Sequence, residues 1–206
     1  MKEQPDYNLD RTVFFSDAVF AIAMTLLALD LPLPEGETNA EIWRSFAENL
    51  DDGYLAFVIS FLVIAMFWIR HHRFFQRIAR LNTSLVVFNL LSLFSIIVVP
   101  FATRALPSQG KFSLGPILYS CVMLLWGLAF VLMVRAAQRG RLWRDGTPSS
   151  TPGDLIFGTF AGLSMFAVSI PLALIDPRLA QASWVLIPVV AATAGRLRER
   201  GRPSPA

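Results

Sequence analysis

Charge is scarce in this chain. Of its 206 residues only 16% are Asp, Glu, Lys or Arg, against 54% that are hydrophobic. A soluble domain carries about a quarter charged residues, so the deficit argues against a soluble fold. The single cysteine, Cys121, excludes a disulfide within the chain and any cysteine-rich metal cluster. Alone in an apolar stretch, it reads as a small buried hydrophobe. The only histidines, His71 and His72, are adjacent and point about 100° apart on a helix, a poor arrangement for joint ligation of one metal. No His-Glu-x-x-His spacing and no nucleophile–base pair appears, so an intramembrane enzyme is not expected. The formal charge of +3 is spread between apolar runs rather than gathered on one face, which argues against a nucleic-acid partner. Lysine is nearly missing, at two against sixteen arginines; with abundant alanine, this bias points to a bacterial plasma membrane.

What the chain does have is apolar runs of membrane length, at 12–32, 53–69, 84–104, 113–134, 154–175 and 179–195. A helix needs about 20 residues to cross roughly 30 Å of hydrocarbon. The second and sixth runs are marginal, and Pro188 in the sixth leaves room for a kink or a re-entrant element. The predicted fold is therefore an all-α integral membrane protein, one six-span domain over 1–206 with a basic tail at 196–206. Charges between the runs set the orientation. Alternate loops hold fourteen Lys and Arg against four, which places both termini in the cytoplasm and requires an even number of spans. The first run is too long for a signal-peptide core and is expected to stay in the mature protein.

The first outer loop is acidic, with Glu35, Glu37, Glu41, Glu48, Asp51 and Asp52 around an amphipathic piece from Asn39 to Leu50. A negative vestibule would concentrate cations; a merely solvated loop is the alternative. Gly146 to Gly153 reads as a linker. No second copy of the opening motif is found.

That motif, Arg11-Thr-Val-Phe-Phe15-Ser16-Asp17, puts two ionisable groups and a hydroxyl at the mouth of the first span. Such groups usually face a bundle interior or an ion path. At about 100° per residue, Ala18, Ile22, Leu26 and Leu29 share one face with Thr25 on its edge, while Ser16 points nearly opposite. A helix packing its apolar stripe on neighbours would show the same pattern. Partners for the polar groups are available in Trp68, His71 and His72 at the end of the second span and in Asn89 on the third. A carboxylate, imidazole, amide and indole N–H can form a hydrogen-bonded set if it is complete.

Arg11-x-x-x-Phe15-Ser16-Asp17, with Trp68, His71, His72 and the third-span stretch from Asn89 through Pro100 to Thr103, resembles the transmembrane-protein-175 family of potassium channels, which lack the usual filter loop. Asn82 departs from the family's common acidic residue at the start of the third span. The resemblance implies a homotetramer with the first helices around a pore for monovalent cations. Ile22, Leu26 and Leu29 would then be constriction layers, with Thr25 linked to potassium selectivity. Arg11, Phe15, Ser16, Asp17, Trp68, His71, His72 and Asn89 would brace the pore helix. No cofactor is implied beyond the permeant potassium ion.

The chain has no Thr-Val-Gly-Tyr-Gly segment, and the carbonyls of a continuous helix are already bonded to their own helix. Selectivity, moderate over sodium, is therefore expected from side chains and pore width. No span carries Arg at every third position, so a voltage sensor is not expected. A proton-permeable channel using the same pore is one competing reading. A secondary transporter is another, although the Gly158, Gly162 and Pro171 breaks of the fifth run have no mid-span counterpart in the first three.

Overall fold

The computed structural model describes residues 8–48, 50–108, 112–187, 190 and 193. The architecture is all-helical. Its helices are α1 (Leu9–Leu26), α2 (Asn39–Glu48), α3 (Leu55–Phe75), α4 (Thr83–Ser108), α5 (Leu114–Arg139), α6 (Thr151–Ile175) and α7 (Pro177–Trp184). Among the described residues, five are long and apolar enough to cross a membrane: α1 with its continuation to Leu29, then α3, α4, α5 and α6.

Local chemistry sets the helix ends. Asn8 Oδ1 accepts the Arg11 N–H at 3.0 Å and opens α1, with Asp10 in the first turn, where a carboxylate meets the positive end of the helix dipole. A 3-10 turn at Leu27–Asp30 tightens its far end before Pro32. Asn82 caps α4, accepting the Leu85 N–H at 2.9 Å, so the amide does the capping of an acidic residue without its charge. Thr38 and Glu41 form a reciprocal cap on α2. Thr38 Oγ1 accepts the Glu41 N–H, and Glu41 Oε2 accepts the N–H groups of Thr38 and Glu37 at 3.2 and 2.8 Å. Glu41 of the acidic loop is thus engaged in structure.

The core lies between α3, α4 and α5. Phe67 stacks on Trp126 at 3.8 Å between centroids, Trp126 on Phe130 at 5.1 Å, and Phe74 meets Phe130 edge-on at 5.6 Å. α5 is the central helix, with 61% of its apolar window buried against 22% for α1 and for α6. α1 packs on α3 and α4 at one side, while α6 and α7 pack on α5 at the other. Hydroxyls staple the bundle away from the arginines: Thr103 Oγ1 donates to Ser60 Oγ at 2.9 Å, Ser60 meets Tyr119 Oη at 3.2 Å, and Ser120 meets Ser169 at 2.7 Å.

At the arginine-rich end the two short loops hold each other. Ala79 N–H donates to Leu142 C=O and Arg144 N–H to Arg77 C=O, both at 2.8 Å, around an isolated antiparallel bridge between Ile78 and Trp143. Arg141 at φ 51° and Gly146 at φ 82° supply the left-handed turns that this connection needs.

Two expectations need correction. Cys121 is exposed on the bundle surface, because α5 commits Ser120, Val122 and Met123 to the interior and leaves the sulfhydryl on the outward side. The second run does not stop at residue 69. α3 continues to Phe75 because His71, Phe74 and Phe75 are buried on the helix face that packs inward. Of the sixth run, α7 covers the first part; residues 188, 189, 191, 192, 194 and 195, and the tail at 196–206, lie outside the described residues.

Gly127 admits the close approach of α6, since a Cβ there would collide with Leu163 Cδ1. Gly127→Val is expected to destabilise the α5–α6 packing by about 1–3 kcal/mol. Adding Leu163→Ala is expected to recover part of that loss, read as a non-additive pair of thermal unfolding midpoints.

Candidate pore helix and its polar anchor

α1 turns its two sides to different surroundings. Ser16, Phe20, Ala23 and Leu27 are buried, facing α3 and α4. Ala18, Ile22, Thr25, Leu26 and Leu29 are exposed, Ile22 at 57% and Leu29 at 77%. The face that carries the suggested constriction layers is therefore the one that a single subunit leaves uncovered.

A directional hydrogen-bond chain holds this rotation. Asn89 Nδ2 donates to Ser16 Oγ at 3.0 Å, and Ser16 Oγ donates to Thr12 C=O at 2.8 Å. Asn89 Oδ1 is left to accept, and His71 Nε2 lies 2.7 Å from it. The chain is complete when His71 carries its proton on Nε2, a tautomer assigned from these partners. Ser16, His71 and Asn89 are each at most 1% exposed, so α1, α3 and α4 are tied at one level out of water. The His71 ring also lies between Phe20 at 5.2 Å and Phe75 at 4.7 Å.

Asp17 is held separately. Trp68 Nε1 donates to Asp17 Oδ1 at 2.8 Å, a charge-assisted bond at the bundle's edge. His72 stacks on the Trp68 ring at 5.4 Å and takes its hydrogen bond from Gln76 Nε2 at 3.0 Å. The carboxylate, imidazole, amide and indole thus form two sets, not one closed ring. Of the two histidines, His71 bonds to Asn89. Arg11 and Phe15 do not join either set. Among the described residues Arg11 gives its backbone N–H to the Asn8 cap, and Phe15 is 55% exposed.

Thr25 Oγ1 donates to Ile22 C=O at 2.8 Å. With its proton committed to the helix, the hydroxyl oxygen keeps its lone pairs for whatever lies on the exposed face.

One arginine that the sequence shows only as a loop charge is instead a tie between helices. Arg70 Nη2 donates to Thr159 Oγ1 at 2.8 Å and Leu155 C=O at 3.1 Å on α6. Its guanidinium lies 5.7 Å from the Phe130 centroid. The signal was an Arg directly before two histidines on a helix, with a small residue, Gly158, opposite it; only the fold puts Gly158 there.

The geometry defines a multi-pass helical membrane protein whose first span is anchored by polar groups and presents an apolar, Thr-bearing face outward. Residues 11–100, from α1 through most of α4, match the family described as endosomal/lysosomal potassium channel TMEM175. Over 124 residues the chain is 38% identical to a potassium channel of Streptomyces collinus, covering 58% of this chain and 60% of that one. It is 28% identical over 131 residues to the endosomal/lysosomal proton channel TMEM175 of Rattus norvegicus, covering 59% of this chain and 26% of that protein. The crystal structure of a lysosomal potassium-selective channel TMEM175 homolog from Chamaesiphon minutus superposes with a TM-score of 0.75 at 26% identity, over 90% of this chain and 97% of that one. The chain is thus similar to the TMEM175 family in its N-terminal segment. It spans 60% of the length of the Streptomyces relative.

Asn89→Ala is expected to cost about 1–2 kcal/mol, because it strands the His71 Nε2–H and takes from Ser16 Oγ the N–H that it accepts. The double variant with Ser16→Ala is expected to cost less than the sum of the singles. Unfolding midpoints in one detergent check this; simple additivity would show that the chain does not act as a unit.

Proposed function

We propose that this chain is the subunit of a homotetrameric, potassium-selective channel in a bacterial plasma membrane, with α1 of each copy lining the pore. The observation that carries this reading is the division of α1: polar anchors buried, Ile22, Thr25, Leu26 and Leu29 presented outward. The names of the Streptomyces and Chamaesiphon relatives support the ion. Each copy completes six spans, the last formed by the stretch at 179–195, with both termini cytoplasmic. Trp184 supports this return crossing, since it packs on Phe166 within α6 at 5.7 Å and on Tyr119 at 4.8 Å. The arginines at 196–202 then rejoin the other basic loops on one side.

In this assembly Ile22, Leu26 and Leu29 form apolar layers that close by dewetting and open by modest widening. A narrow, poorly hydrated passage disfavours sodium, which holds its water more tightly than potassium does. Thr25 returns part of the lost hydration through the lone pairs that its bond to Ile22 leaves open. Discrimination of this kind is moderate. Ser16, Asp17, Trp68, His71 and Asn89 keep the face in register and do not touch ions, and Arg11, Phe15 and His72 flank that anchor. No cofactor takes part; the permeant ion is the only ligand of the path. The rat relative, a proton channel by name, favours a second conductance, in which transient water threads through the same layers carry protons.

Ile22→Asn is expected to raise unitary conductance several-fold in planar bilayers. Thr25→Ala is expected to move the reversal potential under potassium/sodium gradients toward zero selectivity. In a Cys121→Ser background, Ile22→Cys is expected to cross-link between subunits. Labelling of that cysteine by lipid-borne reagents with no cross-link would remove α1 from the pore.

A further inference from the structure

The arginine-rich end carries a cavity that the pore does not use. It measures about 230 Å³ and is lined by Arg70, Arg73, Arg77, Asp154, Thr151 and Gly158, with Leu155 behind. We propose that it binds a phosphate-ester anion, so that the phosphate seats between α3 and α6.

Three guanidiniums face one carboxylate, leaving the cavity positive. Arg70 and Arg73 are three apart on α3 and share a face, and Arg77 follows in the turn that leaves it. That turn is fixed by the Arg77 C=O bond to Arg144 N–H at 2.8 Å. Arg70 is already oriented. Its Nη2 bonds go to two neutral acceptors, Leu155 C=O and Thr159 Oγ1, and Gly158 leaves its guanidinium room against α6. Its Nε–H is buried with no hydrogen-bond partner. A cation in the bundle held by neutral groups, with an N–H to spare, is suited to an anion that accepts several hydrogen bonds at once. The α6 N-terminus adds little, since the Thr151 and Asp154 N–H groups are bonded to Pro148 and Ser150 carbonyls. Recognition is by the arginine side chains. One water takes about 30 Å³, so a hydrated phosphate group fits the volume. The position at the basic end of the helices admits a lipid headgroup; a soluble phosphate has the same chemistry.

The full-length protein is reconstituted in phosphatidylcholine nanodiscs alone, with phosphatidylglycerol, or with oleate at equal negative charge, and its unfolding midpoint is measured. Phosphatidylglycerol is expected to raise the midpoint by several degrees and oleate by less than half as much. Arg73→Gln/Arg77→Gln, two exposed positions, is expected to lose most of that rise. Arg135→Gln/Arg139→Gln removes the same charge from α5 outside the cavity and is expected to keep it. A second arm adds inorganic phosphate to the protein in neutral detergent, against chloride at matched ionic strength. A rise there that Arg73→Gln/Arg77→Gln abolishes supports a soluble phosphate, and a rise confined to the lipid arm supports a headgroup. Equal losses in both double variants, an equal effect of oleate, or a full rise in Arg73→Gln/Arg77→Gln would each overturn the site.

Discussion

Burying a hydroxyl, an amide and an imidazole together away from water is tolerable only when each finds its partner, and this requirement organises α1. Ser16, Asn89 and His71 come from three different helices and satisfy one another in a single direction of donation. Rotating α1 by one residue, about 100°, would break the Asn89–Ser16 bond and strand the buried Asn89 Nδ2–H at a cost of about 1–3 kcal/mol. The rotation is thereby set, and whatever lies on the opposite side of α1 is presented outward. Ile22, Thr25, Leu26 and Leu29 owe their exposure to residues that they do not touch.

The same end of the bundle gathers the arginines, and the structure handles them in two ways. Arg73 in the last turn of α3 and Arg77 in the loop clamped by the Ile78–Trp143 bridge stay exposed. Arg70 is drawn inward and spent on α6. α3 therefore serves both sides of the molecule, through His71 and Trp68 toward α1 and through Arg70 toward α6.

How much of this was legible in the sequence depends on the kind of signal. Long apolar runs announce helices because hydrocarbon leaves the backbone no other partner, and five of the runs are such helices among the described residues. The contrast between Ser16 and the Ile22 face followed from helical periodicity alone. Other features had no one-dimensional trace. Whether His71 or His72 meets Asn89 depends on the rotation of α3, and both neighbours look alike in sequence. The end of α3 was misplaced because hydropathy falls at Arg70 while helical hydrogen bonding continues to Phe75. Cys121 looked buried because its neighbours are apolar, but in a membrane protein apolar surroundings in sequence mark lipid as readily as core. The Thr38–Glu41 cap was readable from its spacing and was obscured by attention to the loop's total charge.

The position of α1 within the bundle bears on what one subunit can do. Among the described residues it lies at the side, packed mainly on α3 and α4, with α5 as the most buried helix. Among the described residues the core around α5 is filled by the side chains of Trp126, Phe130, Tyr119 and Met123, each at most 1% exposed. An ion path along the Thr25 face must therefore be closed by something outside the subunit, and a hydroxyl already bonded within its own helix needs no protein partner to be stable there. Lipid would cover that face at no cost and gain nothing from Thr25. The proposed ring of identical faces would instead place a single layer of Thr25 oxygens between otherwise dry layers, where their free lone pairs have a ligand in the permeant ion.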